Sequence, residues 1–101
     1  MTTEMKIQYI ADHYDYEPQS RQLVEEMAEL TVAINKFWRK LGNGQRVNKS
    51  ASECIQNLVE EIADVQVMLE QVKYLLSIRE DEVSDIIEQK LDRQIERIKN
   101  E

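Results

Sequence analysis

Glycine and proline are nearly absent from this chain, with two of the first and one of the second. Strand-and-turn architectures need both at their turns, so the shortage disfavours them and favours long helices. Cysteine is as scarce. The single Cys54 cannot close an intrachain disulfide, which suits a reducing compartment. Its neighbours Glu53, Ile55 and Gln56 supply no activating cation, so it reads as a small buried hydrophobe. The only histidine, His13, lies far from that cysteine and makes no zinc set with it; it reads as a helix-end or surface residue. No apolar run approaches a membrane span, and "MTTEMKIQYI" lacks the core of a signal peptide, so the expected location is cytoplasmic. Cations are outnumbered too, 13 to 20, leaving a net charge of −7. Nucleic acid is therefore an unfavourable partner, since its phosphates require clustered Lys and Arg. A nucleotide is not excluded, because a metal ion reverses the sign of a carboxylate cluster.

What the chain does have is helical periodicity. At 101 residues it is one domain, 1–101. A short helix is expected from Thr3 to about His13, interrupted by "YDYEPQ", with Pro18 early in the next helix. That second helix runs to about Leu41 on a seam of Leu23, Met27, Leu30, Ile34, Phe37 and Leu41, spaced alternately by four and three. "GNG" stops it. Ser50 and Glu53 form a capping box for a third helix, whose seam is Leu58, Ile62, Val65, Leu69, Val72 and Leu76. A second box, Ser77 with Glu80, is expected to open the fourth helix, which carries Val83, Ile87, Leu91, Ile95 and Ile98. The expected fold is all-α, an antiparallel four-helix bundle. Val24, Val59, Met68 and Tyr74 fall beside the seams. Such wide apolar faces on a thin chain predict a homo-oligomer, dimer or tetramer, that completes the core.

One phrase occurs twice: "LVEEMAE" (Leu23 to Glu29) and "LVEEIAD" (Leu58 to Asp64). With Leu23 at the centre of its seam, Glu26 falls about 60° to one side and Glu29 about 120°, while Glu25 points away. Glu61, Asp64 and Glu60 repeat the pattern around Leu58. Antiparallel packing of the two seams would gather four carboxylates in a partly desolvated cleft, where they repel one another. A hard divalent cation such as Mg²⁺ relieves that repulsion. No His follows these glutamates, which disfavours a di-iron centre. A single E-x-x-E is common on solvated helix faces; two copies in the same seam register carry more weight.

"EEMAE" followed by "EEIAD" resembles the EExxE…ExxD signature of the MazG-like all-α nucleoside triphosphate pyrophosphohydrolases. "LVEEMAELTVAINKF" is similar to that family's second helix, and "QKLDRQIERI" to its basic final helix, so the likeness covers roughly Gln19 to Ile98. The resemblance implies an enzyme that cleaves a nucleoside triphosphate between its α and β phosphates, releasing monophosphate and pyrophosphate. It implies Mg²⁺ or Mn²⁺ held by Glu26, Glu29, Glu61 and Asp64. Glu25 and Glu60 match accessory acids, and Glu25, Glu26 and Glu61 are the candidates to orient or deprotonate the attacking water. Lys90, with Arg93 and Arg97, would contact phosphate oxygens; Lys36 and Arg39 form a second basic pair. Helix-dipole and surface decoration would equally account for the three cations of the final helix. Trp38 is a candidate to stack a base or to pack against a second copy, as are Tyr9, Tyr14 and Tyr16 to stack, whereas Phe37 lies in the seam and is expected in the core.

Two features depart from the family pattern. The connection between the acidic pairs is long, and Glu88 stands where many relatives have asparagine, two residues before the lysine. Two other functions compete: a phosphoribosyl-ATP pyrophosphohydrolase of the same superfamily, and a non-catalytic helical dimerisation module whose acids are plain surface.

Overall fold

The computed structural model describes Met1–Glu101 and is all-helical: α1 (Thr3–Tyr14), α2 (Tyr16–Lys40), α3 (Ala51–Leu75) and α4 (Glu80–Lys99). Each boundary has a local cause. Thr2 caps α1 by accepting from the Met5 N–H at 3.1 Å. Asp15, at φ 71°, turns the chain and caps α2 through the Tyr16 N–H. Pro18 sits in the first turn of α2, where its missing N–H costs no helical bond. Gly42, at φ 103°, ends α2 in a conformation that L side chains rarely adopt. The Asn43 amide also donates to the Trp38 carbonyl at that end.

The capping box opens α3 as expected: the Glu53 N–H donates to Ser50 Oγ, and the Ser50 N–H to Glu53 Oε1, each at 3.1 Å. The hydrogen bonds from Ser50 hold the Glu53 carboxyl below the usual range. The expected Ser77–Glu80 box does not form. Ser77 takes φ 56°, the Arg79 N–H donates to Glu82 instead, and Glu80 pairs with Lys73 at 2.9 Å. Arg79 and Glu82 thus cap the helix in place of Ser77 and Glu80, and it starts at Glu80.

Helices α1, α2 and α3 pack together, with the α2–α3 hairpin as the main contact. Ala11, Ala33, Cys54, Val65 and Met68 form the buried core. Met68 thus belongs to the core, not beside it. At its edge Gln19 donates to the fully buried Gln71 at 2.8 Å, fixing α2 against α3 with both amides partly satisfied. Tyr74 ties α3 to α1 by donating to Asp12.

The two seams divide. Leu23, Leu30 and Phe37 face partly inward, as do Leu58 and Val72, with Val65 buried. Every alternate member, Met27, Ile34 and Leu41 on α2 and Ile62, Leu69 and Leu76 on α3, is exposed. Among the most deeply buried residues of the hairpin are the small Ala33 and Cys54, while the larger alternate members of both seams stay exposed. Phe37 is half-buried rather than central.

Helix α4 does not pack on the other three. Only Val83 is partly covered, and every other residue of α4 is exposed. The radius of gyration is accordingly 17.3 Å, against about 13 Å for a compact domain of this length. No helix is long and apolar enough to cross a membrane.

Candidate metal centre

The hairpin brings the second halves of the two acidic phrases face to face. Carboxylate oxygens of Glu26, Glu61 and Asp64 lie within 4.8 Å of one another. Glu26 and Glu61 are half-buried between α2 and α3, whereas Asp64 is exposed. This follows from their position on the edge of the seam: the backbone that turns Leu23 and Leu58 partly inward carries these acids partway in as well. Gln22 donates to Glu26 at 2.8 Å. Glu61 Oε2 is enclosed and has no hydrogen-bond partner. Burial, followed by the charges of Asp64, Glu29, Glu26 and Glu60, pushes the Glu61 carboxyl above its ordinary range.

No cation of the chain relieves this crowding. The ion pairs join Lys73 to Glu70 and Glu80, and Arg79 to Asp81, all away from the triad. An all-oxygen donor set with one orphaned, enclosed oxygen has the chemistry of a hard divalent site, so these residues fit Mg²⁺ or Mn²⁺. Glu29 is exposed and adds charge to the cluster without joining the close triad. Glu25 and Glu60 are exposed as well.

The substrate candidates are not gathered at the acids within one chain. Lys36, Trp38 and Arg39 lie ten to thirteen residues beyond Glu26 on α2, which is about 15–20 Å along the helix axis. They stand at the far end of the hairpin, where Arg39, Lys40 and Arg46 line a cleft of about 280 Å³ with Gly42, Gly44 and Val47. Trp38 is 55% exposed there, and its ring lies 3.5 Å from where a Cβ on Gly44 would stand. Lys90, Arg93 and Arg97 are on the exposed surface of α4.

The contribution of Lys40 and Arg46 to this basic end was missed by motif reasoning. Its signal is simple: residues 36–52 contain five cations and no acid, in a chain of net charge −7. Two larger clefts, of about 580 and 630 Å³, lie where α1 meets α3 and the start of α4, around Ile7, Glu70 and Lys73. Neither contains a residue of the acidic triad. His13 stacks edge-on against Tyr14, exposed at the end of α1, as a helix-end residue. No protein-family model, curated protein or solved structure matches the chain.

Proposed function

We propose that the chain is a divalent-cation-dependent nucleoside triphosphate pyrophosphohydrolase, cleaving between the α and β phosphates to monophosphate and pyrophosphate. The observation that carries this reading is the orphaned, enclosed Glu61 oxygen within a triad of carboxylates that no protein cation neutralises. The resemblance of "EEMAE" and "EEIAD" to the MazG-like signature supports the same chemistry.

Glu26, Glu61 and Asp64 would hold Mg²⁺, with Glu29 adding negative charge from the rim. The bound ion supplies charge neutralisation at the phosphates and a more acidic water. Glu61, with Glu26, is the candidate to take the proton of the attacking water, because it stands in the triad where the ion would sit. Exposed Glu25 serves, in this reading, to orient water at the rim. Phosphate contacts fall to Lys90, Arg93 and Arg97 and to Lys36 and Arg39, with Trp38 available to stack a base. Since these stand apart from the triad in one chain, the proposed enzyme is a homo-oligomer, dimer or tetramer, that completes both the bundle and the site. A cytoplasmic setting suits its unpaired cysteine.

The test is pyrophosphate release from a panel of NTPs and dNTPs with Mg²⁺, comparing the wild type with Glu61→Gln. Turnover that the substitution removes supports the reading; an inert wild type overturns it. The exposed heptad rows of α2 and α3 favour a second reading, a non-catalytic dimerisation module. That reading predicts assembly with no turnover and no response to Mg²⁺.

A further inference from the structure

Helix α4 is twenty residues long, carries Ile86, Ile87, Leu91, Ile95 and Ile98 on its surface at 49–65% exposure, and buries none of its residues. Most helical stability in proteins comes from packing an apolar face, and this face packs on nothing in its own chain. A partner from outside the chain would bury the stripe. The distribution of charge along the helix says which. Its first half, Glu80 to Glu88, holds five acids and no base; its second half, Lys90 to Lys99, holds four bases and two acids.

We propose that α4 pairs in antiparallel fashion with α4 of a second copy of this chain. An antiparallel pair lays each acidic half along the partner's basic half, whereas a parallel pair sets acid beside acid. With the crossing near Gln89, Ile87 and Leu91 fill the centre of the interface. Val83 comes level with the partner's Gln94 on the same edge. Towards the ends, Arg97 comes opposite the partner's Glu82, and Lys99 opposite the partner's Asp81.

The alternative occupants fit less well. The chain's own α1–α3 unit leaves α4 standing free, joined to it by the short turn at Ser77 and the Lys73–Glu80 ion pair. A nucleic-acid strand could use only the basic half and would be repelled by the acidic one. The pairing rests on the assembly part of the reading above and not on its chemistry.

The test uses the full chain in a Cys54→Ala background with one cysteine added, either Val83→Cys or Gln94→Cys. Oxidising a mixture of the two should give a disulfide-linked heterodimer, while each variant alone should remain largely uncrosslinked, because identical positions in an antiparallel pair lie more than ten residues apart along the helix. Light scattering of the uncrosslinked chain separates the outcomes. A dimer in which Val83→Cys links to itself, or in which the mixture does not link, overturns the pairing and leaves the assembly reading standing. A monomer at micromolar concentration overturns both. As a second measurement, Lys90→Glu/Arg93→Glu/Arg97→Glu should weaken self-association at least tenfold. Mixing it with Glu82→Lys/Asp85→Lys/Glu88→Lys should restore association, whereas unchanged self-association of the first variant overturns the charge argument.

Discussion

Two places on the α2–α3 hairpin gather like charges, and they do so under opposite conditions. At the middle, Glu26 and Glu61 are half-buried, and one Glu61 oxygen meets neither water nor a donor. At the end, Lys40, Arg46 and Lys49 stand in solvent, where repulsion is screened and each head group stays hydrated. The acids are therefore held at a cost that the basic residues escape, and a site is more reasonably sought where a cost is carried without internal compensation. Lys36, Arg39 and Lys40 also have an ordinary role at the negative end of a helix dipole; Glu26 and Glu61, mid-helix, have none.

Substitutions can break or sharpen this contrast. The largest effect is expected on turnover: if the proposed function holds, Glu61→Gln should reduce pyrophosphate release by about 100-fold or more, the loss expected of a group proposed to hold the ion and take a proton. Arg46→Ala should leave kcat within severalfold, and a comparable collapse there would erase the distinction between the two places. Next comes stability with Mg²⁺. At about 100-fold excess over its Kd the ion should stabilise the wild type by about 2.7 kcal/mol, visible as a Tm rise of several degrees in calorimetry. The same titration should not move Glu26→Gln/Glu61→Gln.

Without metal, a smaller pH effect is expected. The folded Glu61 carboxyl titrates above its unfolded value, so the folded state binds more protons between the two. Stability from this group is fully present at low pH and is lost as pH rises from the ordinary carboxylate range through the raised value. Denaturation in chelator across that window should show a decline that Glu61→Gln flattens; an identical slope in the variant would remove Glu61 as its source. Smallest of all, Lys40→Ala and Arg46→Ala should each change unfolding free energy by no more than about 0.5 kcal/mol.

The helices and the Ser50–Glu53 box were legible in the residue pattern because each depends on spacing within one helix or on a short cap, and the approach of Glu26 to Glu61 and Asp64 was legible only given antiparallel packing of the two seams. The division of the seams was not. Periodicity shows which residues share a face but not which of them a neighbouring helix covers, so the burial of Ala33, Cys54 and Met68 beside exposed Met27 and Ile62 could not be read from spacing. The stance of α4 was hidden as well: its apolar stripe has the spacing of any packed helix, and that spacing alone does not say which neighbour covers it. Grouping Lys36, Arg39 and Lys90 with the acids drew on family likeness, and distance along α2 separates the first two from Glu26 within one chain.

The short turn at Ser77 also sets an order of events. A ribosome completes α1, α2 and α3 before it makes α4, and those three helices already contain every buried residue of the chain. Folding of the body therefore need not wait for the arm.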